Sequence, residues 1–180
     1  PESPGPAPAT VADMAWLRRE RLDAEVLAAL GLEPGERVLA FGIDPEGRAV
    51  VATDRGLLLQ RTPPAYSRFP WHEVDRASFA DEVLTVSARA GGSERATRLR
   101  IHLADPGRLP EVVRDRVTAS VAMDQHVPLR GKAGVRVVAR RRPDGTDLHW
   151  SYVVDEGLTL TDAEAAAAED AVASVRAEYG

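Results

Sequence analysis

From Glu36 to Leu103 apolar and polar positions alternate in seven short runs: RVLAFGI, RAVVAT, GLLLQR, SRFPW, EVDRASF, EVLTVSA and TRLRIHL. Alternation with a period of two in segments this short predicts strands. Turn chemistry separates them. Asp44-Pro45-Glu46-Gly47 places proline where φ is preset and glycine where a positive φ is tolerated, and Asp54-Arg55-Gly56 turns the next pair. Ala90-Gly91-Gly92-Ser93 makes a looser loop. Strands this close, joined locally, imply antiparallel meander pairing. The clearest alternation is in TRLRIHL, with Leu99, Ile101 and Leu103 on one face and Arg98, Arg100 and His102 on the other. EVLTVSA is less regular, because Val83 and Thr85 oppose Leu84 and Val86.

From Leu109 the period changes. Val112, Val113, Val117 and Val121 fall at helical spacing and give one apolar stripe, able to cover the opening of a barrel built from the strands. A helix is also expected over 11–30, from Thr10 and Asp13 through Met14, Leu17, Val26, Leu27 and Leu30. Gly31 sits where a left-handed cap is wanted and Pro34 blocks continuation. The proline-rich stretch 1–10 reads as a disordered leader. Beyond the second helix come HVPLRG, GVRVVARRR and DLHWSYVVDE, the last two joined by Pro143-Asp144-Gly145. A final helix opens on the capping box Thr161 and Glu164 and carries a narrow stripe of Ala165, Ala168, Val172, Val175 and Tyr179. The expected fold is therefore α+β: an N-terminal helix (11–33), an antiparallel barrel with its capping helix (34–123), and a β-β-β-α extension (124–180).

Composition narrows the setting. The chain has 180 residues, no cysteine and a formal net charge of −5. Disulfides and thiolate chemistry are excluded, and with no signal-like apolar segment a cytoplasmic protein is the expectation, although a signal upstream of Pro1 is left open. Lys132 is the only lysine, asparagine is absent, and isoleucine occurs only at Ile43 and Ile101. Those three residues have AT-rich codons, so the abundance of arginine reflects a GC-rich genome and is weak support for phosphate binding. The net negative charge argues against nucleic acid as the partner.

Two passages resemble a known family. The run GERVLAFGIDPEGRAVVATDRGLLL, then RFPWHEVDRASF and DEVLTV, is similar to bacterial pleckstrin-homology-like (PH-like, GRAM-related) domains. The residues that carry the likeness are Ala52-Thr53-Asp54-Arg55-Gly56-Leu57 and Pro70-Trp71-His72-Glu73-Val74. LPEVVRDRVTASVAMDQHVPL and GVRVVARRRPDGTDLHWSYV resemble a family of short actinobacterial proteins of unassigned activity. The resemblance implies a PH-like barrel over roughly 34–123 and supplies no catalytic residues. The basic loop with which eukaryotic PH domains hold inositol phosphates has no counterpart, since the first hairpin holds Asp44, Glu46 and Arg48.

Candidate chemistry is sparse. His72, His102, His126 and His149 lie in separate segments, and His72-Glu73 lacks the second ligand of a zinc helix motif because Arg76 stands four residues on. There is no Gly-x-Ser-x-Gly elbow around Ser87, Ser93 or Ser120, and neither glycine-rich stretch has phosphate-loop spacing. Asp81-Glu82 and Asp155-Glu156 read as solvated turns. No catalytic, cofactor-binding or metal-binding residue is assigned, and no cofactor is expected. One run stands out: Arg130, Lys132, Arg136, Arg140, Arg141 and Arg142, with no acid between them. On a strand Arg136, Arg140 and Arg142 share a face and could meet an anionic partner. The competing reading is a solvated strand neutralised by the acidic final helix. Trp16, on the first helix, would anchor that helix to the body or bring two copies together as a homo-oligomer, the first being favoured.

The expected function is a non-enzymatic cytoplasmic binding or scaffolding module that recognises protein or peptide through the barrel surface or an edge strand. The alternative is a peripheral-membrane or anionic-ligand binder that uses 130–142 on anionic lipid. A small hydrolase ranks third.

Overall fold

The computed structural model describes residues 22–62, 65–89, 96–143, 145 and 147–179, with the backbone alone at Arg61 and Thr62. The leader over 1–10, Trp16 and most of the expected first helix lie outside the described residues. The rest is α+β, with three antiparallel sheets and three α-helices among the described residues. Helix α1 (Ala24–Ala29) is followed by β1 (Val38–Ile43), β2 (Ala49–Thr53), β3 (Gly56–Thr62) and β4 (Ala65–Pro70), paired in that order. A 3-10 turn at Trp71–Glu73 leads into β5 (Val74–Ala80), β6 (Val83–Ala88) and β7 (Thr97–His102), the second sheet. Then come α2 (Leu109–Ser120), β8 (Val121–Arg130), β9 (Ala133–Arg141) and β10 (Leu148–Val154), with β9 central in the third sheet. Helix α3 (Asp162–Tyr179) ends the chain's described part.

The first two sheets and α2 share one core. Leu57, Phe69 and Trp71 meet Val74, Leu84 and Val86, and α2 adds Leu109, Val113 and Val117. A helix of twelve residues is marginal alone, so α2 owes its stability to this stripe, at about 1.5–3 kcal/mol for each buried aliphatic side chain. The outer face of the first sheet has its own cluster, in which Val51 and Leu58 pack with Leu30, Val26 and Leu32 from the α1 region.

Three expectations are corrected. The strands do not close into a barrel: no strand pair joins the first sheet to the second among the described residues. Just after β7, Asp105 makes an isolated bridge with Ile43 of β1, their amides and carbonyls exchanging bonds of 2.8 and 3.1 Å. Two residues on, where the next hydrogen-bonded pair would form, Gly107 takes a positive φ (48°) and the chain turns into α2. The helix expected over 11–30 is not continuous through its described part: Leu22 and Asp23 are not helical, Asp23 is extended (ψ 147°), and the helix starts at Ala24. And Val121 belongs to β8 rather than to the α2 stripe, so the strand expected at HVPLRG begins five residues earlier, with no linker after the helix.

The third sheet is a separate layer. On one face Trp150 meets Tyr179 of α3, ring centroids 5.5 Å apart, and Val135, Val137 and Ala139 are fully buried. The capping box holds the start of α3: Thr161 donates its N–H to Glu164 Oε2 (2.8 Å), and the Glu164 N–H returns to Thr161 Oγ1 (3.3 Å). The β8–β9 hairpin depends on Gly134, where a Cβ would lie 2.1 Å from the Val127 carbonyl oxygen.

Candidate functional site

The basic run does not assemble into one surface. Arg130 makes a bidentate pair with Glu164 on α3 (2.9 and 2.7 Å), and Arg136 pairs with Asp124 on β8 (2.8 Å). Arg140 is 4% exposed and donates to the Val117 carbonyl (3.0 Å), Ser120 Oγ (2.7 Å) and the Asp75 carbonyl (2.9 Å). Arg141 donates to the carbonyls of Ala119 and Val121. Arg140 and Arg141 thus satisfy the carbonyl end of α2, where a positive charge also opposes the negative pole of the helix. Lys132 and Arg142 remain exposed without an ion pair among the described residues, at opposite ends of β9 and so about 30 Å apart at the strand rise. The acidic final helix neutralises one of these cations, Arg130.

The residues that carry the PH-like resemblance form a joint. Thr53 Oγ1 accepts the N–H groups of Arg55 (3.1 Å) and Gly56 (3.0 Å) and donates to Glu36 Oε1 (2.6 Å). Trp71 Nε1 donates to the Thr53 carbonyl (2.9 Å), which ties the 3-10 turn to the β2–β3 hairpin. Burial alone would raise the Glu36 carboxyl. Its hydrogen bonds from Arg68, Thr53 and the Glu33 N–H outweigh burial and hold it below the ordinary value.

Two histidines that are distant in the chain come together. His72 and His149 stack edge to face, centroids 5.2 Å apart, where the third sheet meets the first two. His126 bonds Asp155 (2.9 Å), and His102 is exposed. Among the described residues no three His, Asp or Glu side chains gather at metal-binding distance. Ser120 donates to the Val117 carbonyl (2.7 Å) and accepts from Arg140, while Ser93 lies outside the described residues. Asp81 and Glu82 form the β5–β6 turn, both with positive φ (50° and 61°), as a two-residue hairpin loop requires.

A cleft of 510 Å³ lies between β7 and the β1–β2–β3 hairpins. Its floor is Val50, Leu59, Leu99 and Ile101; one rim is Asp44, Glu46 and Arg48, the other Arg98, Arg100 and His102. The hairpin rim neutralises itself. Asp44 accepts the N–H groups of Glu46 (3.0 Å) and Arg48 (2.7 Å) and pairs with the Arg48 guanidinium (2.6 Å), which also meets Glu46 (2.9 Å). The Asp44 hydrogen bond in turn raises the Arg48 guanidinium above its ordinary value. On the opposite rim Arg98 and Arg100 are exposed and form no ion pair among the described residues.

All five residues from Arg98 to His102 line the cleft, and a strand exposes both of its faces to one space only through its edge. β7 is that edge, paired with β6 alone among the described residues. Sequence reasoning gave these residues no binding role. The alternation of TRLRIHL marks a half-buried strand with a cationic outer face, but nothing local marks it as an outermost strand. No protein-family model, curated protein or solved structure matches the chain. No helix among the described residues is long and apolar enough to cross a membrane.

Proposed function

We propose that the protein is a non-catalytic cytoplasmic recognition module with a PH-like fold, taking an extended protein segment as an added strand on the free edge of β7. A four-stranded and a three-stranded antiparallel sheet sharing a core with one following helix support the PH-like assignment. The observation that carries the functional reading is the unpaired edge opening into a cleft with an aliphatic floor. Main-chain hydrogen bonds would supply affinity there, and alternate side chains would supply specificity. The anionic-ligand alternative has less support, since four of the six cations between Arg130 and Arg142 are engaged within the chain.

The test is selection of binders from a displayed library of twelve-residue random peptides, followed by amide shift mapping on the labelled protein. The expected result is binders that shift and protect the amides of Arg98, Arg100 and His102. Binders mapping away from β7, or an unproductive selection, would overturn the reading.

A further inference from the structure

We infer that the strand accepted by β7 alternates acidic and aliphatic residues, an inference that rests on the strand-addition reading above. The backbone directions settle the register. Leu103 donates its N–H to the Glu82 carbonyl at 2.8 Å, and Leu103 stands directly opposite Glu82 beyond the Val83 and His102 pair. In an antiparallel ladder hydrogen-bonded and non-bonded pairs alternate. Ile101, Leu99 and Thr97, paired with Leu84, Val86 and Ala88, therefore turn their backbone groups toward β6. Arg98, Arg100 and His102 turn theirs outward. The residues that offer donors and acceptors to a new strand are the ones whose side chains form the cationic rim.

A residue directly opposite Arg98 or Arg100 on the added strand has its side chain on the same face as the arginine, within reach of its guanidinium. That position suits aspartate or glutamate. The intervening residue points to the other face, beside the partly buried Leu99 and Ile101, where an aliphatic side chain removes its own apolar surface and theirs from water. Two acids separated by one aliphatic residue match the spacing of Arg98 and Arg100. A basic segment would place like charges opposite each other. The acids of the hairpin rim cannot compensate, because Asp44 and Glu46 are held by Arg48.

The test uses the whole protein and three labelled synthetic peptides with a common pattern of valine and leucine at even positions and glutamate, glutamine or lysine at odd positions. Fluorescence anisotropy at low salt should rank glutamate above glutamine above lysine, with the first step about five- to tenfold. The double variant Arg98→Glu with Arg100→Glu should reverse the order. Methylating the backbone amides of the glutamate peptide that face β7 should abolish its binding. If the glutamine peptide binds as tightly as the glutamate peptide and methylation abolishes both, acidic selectivity is overturned while strand addition stands. If methylation has no effect, or none of the three peptides binds, the strand-addition reading fails and the inference with it.

Discussion

β7 and β9 are both strands with arginines two or four residues apart, and they use them in opposite ways. β9 is the middle strand of its sheet, enclosed by β8 and β10, with α3 on one side and the body of the protein on the other. Each arginine there meets an acid, a helix end or a buried carbonyl. β7 is outermost, and its arginines reach into a cleft without a partner among the described residues. The run from Arg130 to Arg142 is denser in charge, yet four of its six cations are engaged within the chain, whereas Arg98 and Arg100 form no ion pair among the described residues. What separates them is neighbourhood in the sheet.

Replacing Arg140 tests the contrast most severely. Arg140→Met removes donors from two carbonyls and a hydroxyl and takes away a cation near the buried Asp75 carboxylate, whose ionised form burial already disfavours more than Arg89 and Arg140 favour it. Urea denaturation should show a loss of about 3–5 kcal/mol. A near-neutral result would mean that β9 tolerates its charges as β7 does.

Acid should act in the same place. His149 stands opposite Arg140, and burial first, then Arg142, Arg89 and Arg140, hold its imidazole below the ordinary value of 6.5. The unfolded chain takes up this proton more readily than the folded one, so the His149 contribution to stability is complete above pH 6.5 and declines as pH falls below it. The urea midpoint should therefore drop on acidification, less steeply in His149→Phe. Parallel pH profiles would remove His149 as a cause.

Arg130→Ala should cost less, about 1 kcal/mol or under, because the Arg130 side chain in its pair with Glu164 is more than half exposed (57%). Half a molar salt should shrink even that difference. The smallest effect belongs to β7: Arg98→Ala with Arg100→Ala should leave the urea midpoint within about 0.5 kcal/mol of the parent while weakening the glutamate peptide. A clear destabilisation would show that β7's arginines are structural too, and the contrast between the two strands would collapse.

Much of the fold was legible along the chain. Turn residues were read between several of the strands, and the φ values of Gly47 (81°) and Gly31 (58°) are those their positions were expected to need. The Thr161 and Glu164 box begins α3 where its spacing placed it. Misreadings arose where a local signal had two outcomes. Val121 extends the α2 stripe equally well as a helical or an extended residue, and pairing with Arg140 made it a strand. The barrel was inferred from the run of short, locally turned strands with a helix after them and from the PH-like resemblance, whereas closure depended on whether the chain after β7 could pair with β1; it makes one bridge and turns away at Gly107.

Of the candidate site, the alternation of Leu99 and Ile101 with Arg98 and Arg100 was visible from the outset, and it defines which faces are apolar and cationic. That much follows from residue order, because a strand's side chains alternate whatever surrounds them. Whether those cations are neutralised, and whether the β7 backbone is left unpaired, depends on partners far away in the chain. Asp124, Glu164 and the end of α2 claim the arginines of β9, and no described strand claims the outer edge of β7. Residue order sets the pattern of a strand; the free energy of a charge or an amide is set by what folding brings beside it.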